Sequence, residues 1–222
     1  MEQNITDLLN HTQTFQRCQR NFDLSRELDS NVAKTLYEIA LNVPSKQNFV
    51  NYDVVAVTNR SLIRKIAEAS VSDDQSFLTP RLQQELKNGR LQNPQVDAHM
   101  LLMYFLKPDM ADRDYGNRDP GPKGGPTKRF INWKHLTNLE IGISTGAVGL
   151  AANSLGLRTG FCKCFTESKL PQKEFEDNGI DVNELVVILG IGYPLHEDHT
   201  LHTDGVHESD SFTKLEQRKI II

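Results

Sequence analysis

Tyr52 to Thr58 is nearly continuous in apolar and β-branched residues, and a strand of that kind has to be covered on both faces. Ala98 to Leu106 is a second buried run of the same sort, and Leu185 to Leu189 a third, closed by Gly190-Ile191-Gly192-Tyr193-Pro194. Helical patterns fill the intervals. Asp29 or Ser30 caps a helix reaching about Leu41, with Val32, Leu36, Ile39 and Ala40 on one face, and Pro44 stops it. Ser61 to Ala69 reads as a helix with Leu62, Ile63 and Ile66 inward, and shorter helices are expected over residues 5–15 and Pro80 to Leu91. The longest helix runs from about Thr137 to Leu155 and ends with Gly156 at the C′ position. On it, Gly142, Gly146 and Gly149 share a stripe that lets another backbone come close. The simplest account is one α+β domain over residues 1–222.

Two stretches escape this pattern. From residue 107 to 134, Asp, Pro and Gly leave nothing to pack, as in a functional or flexible loop inserted into a compact domain. From residue 194 to 222 the chain is a polar C-terminal extension containing His196, His199, His202 and His207. Their spacing is not the i, i+4 pattern of a zinc protease helix, so an exposed polar loop is expected there and no metal site. At 222 residues, with net charge −4 and 24% charged residues, the chain lacks the basic excess that tracks a phosphate backbone, so no nucleic-acid partner is expected. No apolar leader is seen at the N-terminus, and Ile141 to Leu157 reads as a buried helix, not a membrane span. Three cysteines, Cys18, Cys162 and Cys164, are an odd number and point to free thiols in a cytoplasmic protein.

The residues able to do chemistry fall in a few short segments. Arg17 and Arg20 present planar forks of donors suited to a phosphate or to the oxygen edge of a heterocycle. Asn48, after Pro44-Ser45-Lys46-Gln47, offers both a donor and an acceptor in a turn at the mouth of the first strand. Gly160-Phe161-Cys162-Lys163-Cys164 follows the long helix, where amides could face a ligand while Phe161 covers an aromatic face. Lys214 adds a positive charge from the tail. On a strand Cys162 and Cys164 would point the same way, which favours free thiols near a ligand over a metal or redox pair.

In that order these elements resemble the FMN-dependent nitroreductase family. Arg17-Cys18-Gln19-Arg20-Asn21-Phe22 resembles the family's opening Arg-x-Ser-x-Arg/Lys-x-Phe segment, Pro44-Ser45-Lys46-Gln47-Asn48 its Pro-Ser-x-x-Asn elbow, and Leu139 to Leu157 its central helix. The resemblance implies a three-layer sandwich with a central, mostly antiparallel sheet flanked by helices, in an intertwined homodimer. It implies FMN as cofactor, held by Gln16, Arg17, Cys18, Arg20, Pro44, Ser45, Lys46, Asn48, Phe161, Cys162, Lys163, Cys164 and Lys214. The elbow would reach the flavin bound mainly by the other subunit. The implied activity is ping-pong hydride transfer from NADH or NADPH through flavin to a small electron acceptor, with no catalytic side chain. Departures stand beside it: Gln16 replaces the family's first Arg, Cys18 its Ser, and Val50-Asn51-Tyr52 its Gln-Pro-Trp. They motivate an alternative, a flavin-binding protein of the same fold with little reductase activity. A metal-dependent interaction module built on the histidine-rich tail is a third.

Overall fold

The computed structural model describes residues 7, 18–20, 22–45, 48, 50–70, 93–107 and 133–195. The expected helices at 5–15 (Asp7 excepted) and Pro80 to Leu91, most of the 107–134 loop and the histidine-rich tail lie outside these residues. So do Gln16, Arg17, Lys46 and Lys214.

Helix α1 spans Ser30–Leu41. Asp29 caps it by accepting the Asn31 amide at 2.7 Å, satisfying one of the first-turn N–H groups that have no intrahelical partner. Its buried face is Ala33, Leu36 and Ala40. Strand β1 follows at Tyr52–Val57, and helix α2 spans Arg60–Ala69 behind an Asn59 cap on the Leu62 amide. Strand β2 is Met100–Leu106. Helix α3, Trp133–Ser154, starts four residues earlier than the sequence pattern suggests. Its end is as expected: Gly156 has φ 74°, and the Leu157 amide reaches back to Ala152 O at 2.9 Å while Gly156 N bonds Asn153 O. That pair of bonds is the Schellman closure, which needs a left-handed residue that glycine adopts without strain. Strand β3 is Arg158–Cys162, helix α4 Gln172–Glu176, and strand β4 Leu185–Gly192.

The four strands form one antiparallel sheet in the order β1-β2-β4-β3. The sequence pattern yields three strands. The missing one, β3, is a short edge strand whose Arg, Thr and Gly carry no apolar run. Strand β2 is central and apolar on both sides, so its residues divide by parity. Leu101, Met103 and Phe105 join Ile63 and Ile66 of α2, Phe175 and Ile188 in one buried cluster. Met100, Leu102 and Tyr104 join Leu36 of α1 and Ile141, Val148 and Ala152 of α3 in the other. At about 25 cal/mol per Å² of apolar surface, these two clusters are the main force holding helices to sheet.

Helix α3 is not buried all round. Leu139 (58% exposed), Ile143 (43%) and Leu150 (47%) stand out on it, and a Cβ at Gly142 or Gly146 would meet nothing within 4 Å. No described helix is long and apolar enough to cross a membrane.

Candidate functional site

The segment around Cys18 lies against the edge of β3. Gln19 N donates to Thr159 O at 2.8 Å, and the Phe161 amide donates to Cys18 Sγ at 3.0 Å. A thiol thus takes the place that a neighbouring strand's carbonyl would hold. Gln95 Nε2 donates to the same sulfur at 3.0 Å, tying in a second segment. Further along, Phe22 bridges Pro194 and Asp23 N bonds Tyr193 O at 2.9 Å, so the chain crosses from β3 to the exit of β4.

Glycine makes this close approach possible. A Cβ built on Gly160 would lie 2.5 Å from Gln19 O and 3.0 Å from Gln95 O, and one on Gly190 would collide with Gln95 O. Gly160 and Gly190 are register partners on β3 and β4, so a bare patch of sheet receives both segments. Asn93 and Gln95, which sequence reasoning missed, complete the arrangement. Asn93 Nδ2 donates to Cys162 Sγ at 3.0 Å while its Oδ1 accepts from Gln95 N. No periodicity marks them, because they lie in a turn ahead of β2.

Arg20 folds back so that one guanidinium nitrogen donates to Cys18 O at 3.3 Å, leaving it half-buried at the same edge. Phe161 is 37% exposed, an uncovered ring on an edge strand. The expectation that Cys162 and Cys164 point the same way does not hold. The strand ends at Cys162, which is buried, while Lys163 and Cys164 beyond it are exposed and Cys164 N turns back to Cys162 Sγ at 3.3 Å. Burial pushes the Cys162 thiol up to about 12 and also raises Cys18, so both stay protonated near neutrality. All three cysteines are free.

The elbow stands elsewhere. Pro44, Ser45 and Asn48 precede β1, and among the described residues β1 and β3 are the two edges of the sheet. Three strand spacings separate them, about 14 Å. A single chain therefore unites Cys18, Arg20, Phe161, Cys162, Lys163 and Cys164, and leaves Pro44, Ser45 and Asn48 apart. Asn48 (φ 62°) and Val50 (φ 46°) are both left-handed. Asn tolerates this, whereas a β-branched Val there costs of order 1–3 kcal/mol and persists only where its surroundings dictate it.

A surface cavity of about 700 Å³ opens between α1 and the ends of β1 and β2, with Arg26, Lys34, Arg60 and His99 among its lining. It holds none of the residues expected at the site.

The family model described as Nitroreductase family matches residues 14–193. The chain belongs to the nitroreductase family. Its architecture is the nitroreductase fold, α+β with a four-stranded antiparallel sheet. Among solved structures, a nitroreductase with bound FMN from Bacteroides fragilis aligns at TM-score 0.57 and 14% identity, covering 96% of this chain and 98% of that one. A nitroreductase family protein from Clostridium novyi aligns at 0.54 and 14%, covering 85% and 87%. An iodotyrosine deiodinase bound to FMN and 3-iodo-L-tyrosine aligns at 0.54 and 18%, covering 97% of each chain. At such identities these likenesses speak for the fold alone. No curated protein matches the chain.

Proposed function

We propose that this chain is an FMN-dependent oxidoreductase taking electrons from NADH or NADPH and passing them to a small acceptor, such as a nitroaromatic or quinone, the two alternating at one site. The observation that carries this reading is the split of the candidate residues between the two edges of the sheet. A site needing both Phe161 and Asn48 is closed by two copies of the chain, each lending its elbow to the other. The uncovered stripe of α3, with Leu139, Ile143, Leu150 and the open Gly142 and Gly146, supplies an apolar face for such a pairing. The assembly would be an intertwined homodimer with helices on both faces of its sheets, in the cytoplasm, and each chain a single domain.

The donor set suits a flat heterocycle with a polar rim. Phe161 offers an apolar face, Arg20 a guanidinium fork, Asn48 an exposed amide, and Lys163 and Cys164 are exposed residues beyond the strand end. Arg17 and Lys214 would hold the phosphate, with Gln16 beside them. Pro44, Ser45 and Lys46 would shape the elbow, and Cys18 and Cys162 would fix the backbone from behind. When bound, FMN supplies the hydride and electron chemistry, and the protein supplies position and field. Arg20 would stabilise negative charge gathered on the flavin's polar edge, a role that can be worth a few kcal/mol. No side chain has to act as acid or base.

An absorption spectrum of FMN-supplemented protein, taken anaerobically before and after each nicotinamide, tests this. A retained yellow chromophore that bleaches supports the proposal. A colourless protein after desalting removes it. Retention without bleaching favours a flavin-binding protein with little reductase activity, a reading motivated by Cys18, whose sulfur is engaged by Phe161 and Gln95.

A further inference from the structure

The left-handed Val50 and the amide that follows it are gripped from three sides. Val50 N donates to Ser45 Oγ at 3.0 Å, Val50 O accepts from Lys107 Nζ at 2.9 Å, and the next amide, Asn51 N, donates to Glu140 Oε2 at 3.2 Å. Glu140 also takes Asn51 Nδ2 on its other oxygen at 3.2 Å. Both residues are buried, Glu140 at 3% and Asn51 at 1% exposure, and 89 positions separate them in the chain. Ser45 belongs to the elbow itself and Lys107 is partly exposed, so the carboxylate on α3 is the buried anchor. A carboxylate accepting two N–H groups in a forked geometry fixes both the position and the tilt of residue 51.

We infer that Glu140 is a positioning residue of the proposed site, acting through Asn51 to hold Val50 and Asn48 in the conformation that presents the elbow to the cofactor of the partner. The inference rests on the proposed function for its last link, the contact with cofactor. The grip itself does not.

Glu140→Leu keeps much of the bulk but removes both acceptors, and loss of one such bond to Asn51 corresponds to about a tenfold change in an equilibrium. In Glu140→Leu, the FMN dissociation constant should therefore rise tenfold or more. Trypsin cleavage after Lys46, mapped by mass spectrometry on flavin-free protein, should accelerate several-fold while cleavage elsewhere does not. Glu140→Gln is the conservative control: its oxygen accepts the residue-51 amide, and the Asn51 side chain turns its otherwise unpartnered Oδ1 to the new NH₂, so both bonds survive. It should hold both readouts within about threefold of wild type.

Wild-type cleavage after Lys46 in Glu140→Leu would overturn the inference whether or not flavin binds. Uniform acceleration at all sites, or a Glu140→Leu variant that does not fold while Glu140→Gln does, would reduce Glu140 to a structural residue and also overturn it. If wild-type protein retains no FMN while cleavage after Lys46 responds as stated, the proposed function fails and the grip on the elbow stands.

Discussion

Gly160→Ala tests whether the segment around Cys18 is held where it is by bare sheet. The added Cβ would lie 2.5 Å from Gln19 O, a backbone atom, and ordinary contact begins near 3.4 Å. The Gln19 peptide must then retreat by about 0.9 Å. Its amide bond to Thr159 O, 2.8 Å in the wild type, stretches toward about 3.7 Å, beyond a hydrogen bond. Moving the other way is blocked by Gln95 O at 3.0 Å. Overpacking typically costs about 1–3 kcal/mol and the broken bond about 1 kcal/mol more. About 3 kcal/mol in a chain of this size lowers the midpoint of thermal unfolding by roughly 6–12 °C. Circular dichroism melts measure it. Cys18 should at the same time become more reactive toward a thiol reagent, because the displaced segment opens it to water and relieves the burial that chiefly raises its pKa. A variant with the wild-type midpoint and an unchanged Cys18 would refute the close-approach argument, and with it the account of how this edge is assembled.

Arg20→Ala should weaken FMN retention at least several-fold, read by flavin fluorescence titration, and unchanged binding and reduction would remove Arg20 from the site. Gly146→Leu fills space that is open within one chain, so it should fold normally yet weaken the proposed dimer by tenfold or more, seen by sedimentation. An unaltered dimer would place the subunit contact elsewhere. Burial raises the Cys162 thiol from 9.0 to about 12 in the folded state, so the unfolded chain loses that proton first. Stability should accordingly fall as pH rises from about 9 toward 12, with Tyr104, also raised by burial, adding to the decline. Urea midpoints of Cys162→Ala should fall less steeply over that range than those of the wild type. In native protein near neutrality, Cys164 should react promptly with a thiol reagent and Cys162 only after unfolding.

Much of the frame was legible because it is encoded locally. Asp29 ahead of α1, Gly156 behind α3 and the apolar runs of β1, β2 and β4 each act within a few residues of themselves, through capping bonds, left-handed turns and side-chain parity. Strand β3 was not legible, since what makes Arg158–Cys162 a strand is its pairing with β4 and not its own composition. The early start of α3 was hidden for a related reason: Trp133 to Leu136 follow a stretch of Pro and Gly that reads as loop.

Composition, order and spacing of motifs were enough to determine the family resemblance and the list of residues to examine. Only tertiary structure decided that Cys18 turns its sulfur to Phe161, 143 positions away, that Asn93 and Gln95 tie the cysteines together, and that the elbow stands at the far edge of the sheet. Such contacts depend on how distant segments are folded back against one another, and nothing in the period or the caps of one element records which strand will lie beside it.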